Sequence, residues 1–220
     1  MPGDRTRARQ LAEEFLRRGD PTGWFEALYK EGEEGKSVVP WADREKNPHL
    51  AEFWKAHPQK TEGKSALVIG CGLGDDAEQL AAWGYRTTAF DISETAIRTA
   101  KKRFPGTSVG YRVANLLEPP AEWGQAFDFV LEVYTVQALP LSWHSRAIKK
   151  VAAFVRSRGS LLLLARGREP NEPEGQLPWP LTRAELAEFS RSGLQEESFE
   201  EYFDKEEPPA RRFRVLYSRT

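Results

Sequence analysis

The sequence predicts an α/β fold: a seven-stranded sheet, mostly parallel, with helices on both faces and an antiparallel hairpin at its C-terminal end. Three observations carry this. From residue 65 onward short apolar runs alternate with amphipathic helical runs, the pattern of successive βαβ units. A glycine turn, Gly70-Cys71-Gly72-Leu73-Gly74, joins the first apolar run to the first of these helices, and Asp91 ends the next run twenty-one positions after Gly70. Two strand-like runs, 198–203 and 213–218, then follow one another with only the charged, proline-containing stretch 204–210 between them, which reads as a hairpin.

Taken in order, residues 4–18 read as an amphipathic helix with Asp4 as N-cap, Ala8, Leu11, Ala12, Phe15 and Leu16 on one face, and Gly19 as its stop. Residues 20–48 are rich in Gly, Glu and Lys, yet Trp24, Phe25, Leu28, Tyr29 and Trp41 make them too aromatic for a disordered linker. A segment packed over the domain as a lid is expected. Leu50, Phe53 and Trp54 mark a short helix leading into the first strand, so the chain divides into an N-terminal helical cap, 1–60, and an α/β domain, 61–220. Strands are expected at 65–70, 86–91, 108–113, 127–133 and 159–165, and helices at 76–84, 93–103, 144–155 and 182–191. Thr182 with Glu185 three residues on forms a capping box, and His144 is expected to face solvent at the start of its helix. The loop 176–182 should present Trp179 at the sheet edge as a pocket wall.

Composition narrows the function. The 220 residues carry 32 Lys and Arg against 33 Asp and Glu, a net charge of -1, which speaks against a general nucleic-acid or membrane-surface role. Basic clusters at 5–9 and 211–214 have acids close by and are expected to be solvated faces. No apolar run reaches the length of a membrane span, and the opening Met-Pro-Gly-Asp-Arg lacks the apolar core of a signal peptide. Cys71 is the single cysteine, so no internal disulfide forms, and a cytoplasmic setting is expected. His49, His57 and His144 show no metal-ligand spacing, and no metal is expected.

The glycine spacing discriminates between cofactors. A dinucleotide turn has the form G-x-G-x-x-G, so that a pyrophosphate reaches the helix N-terminus. Here Gly70-x-Gly72-x-Gly74 is followed by Asp75, Asp76 and Ala77. Two carboxylates at the helix start suit the helix dipole and repel a pyrophosphate, but do not oppose a phosphate-free sulfonium. The pattern favours S-adenosyl-L-methionine (SAM) over NAD, and so disfavours an NAD-linked oxidoreductase.

Over about residues 20–220 the chain resembles the class I SAM-dependent methyltransferases. The resemblance implies a Rossmann-like sheet in which Gly70, Cys71, Gly72 and Gly74 pass under the methionine part and ribose of SAM. It further implies that Asp91 binds the ribose hydroxyls, Ile92 packs on adenine, and Asn115, followed by Leu116, meets the adenine amino group. Glu132 and the residues after it would lie beside the methyl group. The family usually has an acid two residues before the first glycine, whereas Val68 stands there, so the SAM ammonium falls to Asp75, Asp76 or Glu132. Trp24-Phe25, Val39-Pro40-Trp41-Ala42-Asp43, Asn47-Pro48-His49-Leu50 and the stretch 127–140 ending Ala138-Leu139-Pro140 are similar to the thiopurine and halide/thiol branch. That narrower resemblance implies an N-terminal segment folded over SAM, with Trp24 and Trp41 excluding water and facing the sulfonium.

Methyl transfer is an in-line displacement with a good leaving group, so the protein acts mainly by positioning and desolvation. A thiol acceptor needs little or no general base, whereas an alcohol or amine usually needs a proton acceptor. Glu132, Tyr134, Thr135 and Gln137 are the candidates near the acceptor, and Arg166 and Arg168, at the carboxyl edge of the fifth strand, are candidates to hold an anionic group. Glu132, Tyr134 and Arg166 are the expected catalytic residues. The expected function is SAM-dependent methylation of a small molecule, first a thiol or other soft nucleophile, with no nucleic-acid or membrane partner. O- or N-methylation is the alternative, and a non-catalytic SAM-binding protein is the rival from another class.

Overall fold

The computed structural model describes residues 5–58 and 60–220; Asp4, the expected N-cap of the first helix, lies outside the described residues. Three helices precede the sheet: α1 (Thr6–Arg17), α2 (Gly23–Glu33) and α3 (Pro48–Ala56). The alternating part follows as β1 (Ser65–Ile69), α4 (Asp75–Ala82), β2 (Arg86–Asp91), α5 (Glu94–Arg103), β3 (Gly110–Val113), β4 (Phe127–Val133), α6 (Leu141–Phe154), β5 (Val155–Arg166) and α7 (Arg183–Arg191). The hairpin β6 (Gln195–Phe203) and β7 (Arg211–Ser218) completes it.

Local chemistry sets the helix starts. Pro48 occupies the first turn of α3, and the Asn47 side chain accepts from the amides of His49 and Leu50. Ser93 caps α5 through the Ala96 amide, and Thr182 and Glu185 form the expected reciprocal capping box on α7.

The strands form one seven-stranded sheet in the order β3-β2-β1-β4-β5-β7-β6, with β7 antiparallel to both neighbours. Central strands are covered on both sides, so β1 is apolar almost throughout: Leu67 and Ile69 face one way, Ala66 and Val68 the other. Leu67 and Ile69 join Ile148 and Val151 of α6 and Leu186 and Phe189 of α7. Ala66 and Val68 join Leu80 of α4, Ile97 of α5, and Leu50 and Phe53 of α3. A third cluster (Ala8, Leu11, Ala12, Trp24, Leu28 and Leu177) packs α1 and α2 against the loop before α7. Each fully buried leucine of this kind stabilises the fold by about 1.5–3 kcal/mol. β1 and β4 run parallel, but the order in which strands are added reverses between them, and the crevice at their carboxyl ends is where α/β sheets take ligands. Among the described residues no helix is long and apolar enough to cross a membrane.

Two local expectations are corrected. His144 does not face solvent: it is 2 % exposed, with Nδ1 2.7 Å from Glu185 Oε1 and Nε2 2.9 Å from the Leu139 carbonyl. Glu185 serves the capping box and α6 at once, a convergence invisible from either helix alone. The loop before α7 lines the site through Leu177 and Pro178, while Trp179 turns to the α1–α2 cluster and donates its amide to the Gln137 carbonyl at 2.7 Å.

Candidate active site

The turn after β1 is built by backbone demands. Gly70 and Gly72 hold φ of 58° and 52°, in the left-handed region that glycine adopts without strain. The Cys71 amide donates to the Phe90 carbonyl and the Gly72 amide to Asp91 Oδ2, both at 2.9 Å, which ties the turn to the end of β2. A Cβ on Gly70 would overlap the Thr135 side chain, and one on Gly72 would come 2.9 Å from the Tyr29 hydroxyl. Gly74 caps α4 and lies off the cavity wall, and a Cβ there would run into Tyr111.

Asp91 stands on the wall of a cavity of about 490 Å³, within the size range of small-molecule sites. Its two oxygens each accept one amide, from Gly72 and Ser93, which leaves lone pairs for further donors. Burial pushes its carboxyl up to about 6, partly offset by those amides. Ile92, Asn115 and Leu116 continue the same wall, with Asn115 Oδ1 fixed by the Leu117 amide at 2.9 Å.

The acids at the start of α4 are engaged locally. Asp75 makes a two-pronged ion pair with Arg103 at 2.6 and 2.7 Å, and Asp76 accepts the Asn47 amide at 2.8 Å, tying α3 to α4. Burial pushes Asp76 up to about 6, and both acids border the cavity. With Glu78 they make the first turn of α4 hostile to phosphate.

Trp24 and Trp41 part company. Trp41 lines the cavity and donates its indole N–H to the Tyr29 hydroxyl at 2.9 Å. Trp24 is fully buried, stacked on Phe25 at 3.8 Å, with its indole N–H on the Pro21 carbonyl, and does not reach the cavity wall. One step along a helix is a rotation of about 100°. Trp24 and Leu28 therefore face α1, while Phe25 and Tyr29 face the cavity.

Glu132 also lies off the wall. It is 0 % exposed; Oε1 accepts the amides of Thr135 and Val136 at 2.6 and 2.9 Å, and Oε2 has no hydrogen-bond partner among the described residues. Burial pushes its carboxyl up to about 7. From there it braces the turn in which Tyr134 adopts φ of 61°, a conformation costing a non-glycine residue about 1–3 kcal/mol. The turn presents Tyr134 to the cavity, its ring 5.0 Å from the Arg212 guanidinium. Burial pushes the Tyr134 phenol up, and the Arg212 charge offsets part of this.

Arg166 reaches the cavity; Arg168 bonds to the Pro180 carbonyl and stays off the wall. The basic cluster at 211–214 is not a solvated face, because Arg212 is 5 % exposed and lines the cavity, held by Asp204 at 2.6 Å. Arg5, from the other cluster, lines it too. Gln137, a candidate from the sequence, does line the cavity, and Tyr29, Arg5, Arg212 and Glu206 are among the wall residues that the sequence did not point to as site residues.

A phosphate-free cofactor fits these residues: a glycine cradle with no room for side chains, a buried carboxylate with spare acceptor capacity, an apolar Ile92–Leu116 wall, and acids in place of a phosphate nest. Residues 66–159 match the sequence model of a family described as a methyltransferase domain. The fold is that of solved SAM-dependent methyltransferases, and the match to the methyltransferase-domain model falls on its glycine turn and central strands. A ubiquinone biosynthesis O-methyltransferase from Caulobacter sp. (strain K31) is 33% identical over 140 residues, 62% of this chain and 52% of the relative. The chain thus spans about half the length of this curated relative. Among solved structures, one described by the conversion of a disulfide bond into a thioacetal group during echinomycin biosynthesis matches with a TM-score of 0.72 at 21% identity, covering 90% of this chain and 91% of the other. The 1,6-didemethyltoxoflavin-N1-methyltransferase of Burkholderia thailandensis matches with a TM-score of 0.68 at 17% identity, over 96% and 90%. These two likenesses concern the fold.

Proposed function

We propose that the protein transfers the methyl group of SAM to a small-molecule acceptor, with a thiol or other soft nucleophile as the preferred acceptor class. The observation that carries the first part is the Gly70–Gly72 turn tied to the buried Asp91 carboxylate on the wall of the cavity, within a methyltransferase domain. SAM supplies an electrophilic methyl group on a sulfonium.

The chain's residues do the rest. Asp91 accepts the ribose hydroxyls, Ile92 and Leu116 enclose the adenine, and Asn115 offers its amide to the base. Asp76 bears on the ammonium in place of the missing acid at Val68. Trp41, held by Tyr29, covers the cofactor from the N-terminal segment, and Phe25 closes the cavity beside it. Residues 5–48 act as the cap, whereas α3 packs with the sheet domain.

The soft-nucleophile reading rests on the wall facing the glycine turn. Glu132 is off it, the Tyr134 phenol is pushed up, and the charged groups contributed by β5 and β7 are guanidiniums. Such a wall favours the ionised form of an acceptor thiol and offers little to an alcohol that must lose its proton. O-methylation is the second reading, favoured by the likeness to the Caulobacter O-methyltransferase.

The test is S-adenosylhomocysteine release from SAM with small thiols, phenols, amines and carboxylates. Turnover with thiols supports the full proposal; turnover only with phenols or amines transfers it to the second reading. Failure of the protein to bind SAM in a calorimetric titration would sink both.

A further inference from the structure

Arg166 ends β5 and Arg212 lies in β7, and the two are direct register partners across the antiparallel pair. Directly opposed like charges destabilise a sheet unless something anionic bridges them. Glu206, on the hairpin loop, supplies that bridge: Oε2 pairs with Arg166 and Oε1 with Arg212, the latter at 2.5 Å. All three border the cavity that holds the glycine turn, and so does Arg5. Burial and the neighbouring Arg166 charge push Arg5 down, with Glu206 offsetting part of that.

The two acids beside this cluster are unequal. Asp204 is nearly buried, 6 % exposed; it accepts the amides of Glu206 and Ala210 as well as Arg212 Nε, so it is part of the hairpin's frame. Glu206 is 32 % exposed, and among the described residues its carboxylate bonds only to the arginines it bridges. Once Glu206 turns outward, Arg5, Arg166 and Arg212 stand against Asp204 alone, an excess of positive charge facing the cavity. The Tyr134 ring stacks on Arg212, and the next residue, Thr135, covers Gly70, so this cluster adjoins the cofactor turn.

We propose that Arg5, Arg166 and Arg212 form a subsite for a carboxylate of the methyl acceptor, and that Glu206 occupies this subsite as a stand-in which the acceptor displaces. A planar carboxylate is the ligand because the Glu206 carboxylate already spans both guanidiniums. The subsite rests on the methyltransferase reading above, and makes the acceptor a carboxylate-bearing small molecule.

The test is calorimetric titration of the full chain, first with S-adenosylhomocysteine, then of that complex with benzoate, benzamide and phenyl phosphate. Benzoate is expected to bind about tenfold or more tightly than benzamide, the difference expected for a charge-assisted two-pronged contact. Arg166→Met should abolish that preference. Because Arg166 is itself packed against the sheet, Glu206→Gln is the second variant, and its sign is decisive. Removing the stand-in should tighten benzoate by about fivefold or more, since less of the protein is then held in the self-occupied state. A purely structural Glu206 would predict weaker binding or none. Equal affinity for benzoate and benzamide, or a Glu206→Gln protein that binds benzoate no better, overturns the proposal. Phenyl phosphate binding more tightly than benzoate overturns the assignment to a carboxylate. Loss of S-adenosylhomocysteine binding in the unmodified protein would instead strike the cofactor reading, and the subsite with it.

Discussion

The cavity has two halves made in opposite ways, one proposed for the cofactor and the other for the methyl acceptor. The cofactor half is built mostly from backbone: amides at Gly72 and Ser93, a turn whose glycines leave no room for a Cβ, and one carboxylate at the end of the adjacent strand. The acceptor half is built from long side chains, Arg5, Tyr134, Arg166, Glu206 and Arg212, carried by separate elements and linked by ion pairs. The first kind of wall is rigid and tolerates little change. The second can alter its specificity by exchanging single residues while the turn beside it stays fixed.

The largest effect expected from this contrast is on Asp91. Asp91→Ala should weaken S-adenosylhomocysteine binding by about tenfold or more, since hydrogen bonds to a charged group contribute about 1.5–3 kcal/mol each. Arg166 variants should leave that affinity in place, and an Arg166→Met protein that loses it equally would show the two halves to be one unit. Next is a pH effect. Burial sets the Asp91 carboxyl at about 6. The charged acceptor is present above that value and disappears as pH falls through it, so cofactor affinity should decline from pH 7.5 to pH 5, by at most about tenfold per unit below the pKa. Affinity that is flat over this range would mean Asp91 binds ribose equally well when protonated.

Trp41→Phe tests the strap over the cofactor half. It removes the bond to the Tyr29 hydroxyl while keeping an aromatic cover, and should weaken cofactor binding by about fivefold, the equivalent of one ordinary hydrogen bond. The smallest effect expected is on stability. Burial holds Glu132 at about 7, above its unfolded value, so the folded state keeps a proton that the unfolded chain has released between those two values. Stability therefore falls as pH rises toward 7 and the penalty is complete above it. Glu132→Gln should raise the melting temperature at pH 8 by about 2–4 °C, for a gain of about 1 kcal/mol, and by less at pH 5. An equal gain at both pH values would show that Glu132 carries no such penalty.

The cofactor half was legible because its requirements are written contiguously. Gly70, Gly72 and Asp91 announce a backbone turn and a strand-end carboxylate, and alternation with a terminal hairpin specifies the sheet. The acceptor half was not. Arg212 sits in a run of arginines whose neighbours do pair at the surface, Arg211 with Glu169 and Glu201, and Arg214 with Glu200. Strand alternation separates Arg212 from Arg211 but cannot say that the α3 side of the sheet covers it. Trp24 and Phe25 give the helical version: both were visible as aromatic, and only the packing of α2 on α1 decides which one meets the cavity. Glu132 stands near the end of β4 as the sequence indicates, but its side chain is fully buried off the cavity wall.

The sheet order has a consequence for how the molecule is made. β6 hydrogen-bonds only to β7, and β7 lies between it and β5. A ribosome delivers β6 before the strand that is to hold it, so β6 waits, while the glycine turn and its partner strands are already out. Until β7 slots in, the edge of β5 stays open to pairing with another chain, and the acceptor wall lacks Arg212. The growing polypeptide thus acquires the glycine turn early and Arg212 only with β7, so the strand that joins β5 to β6 also completes the arginine wall of the cavity.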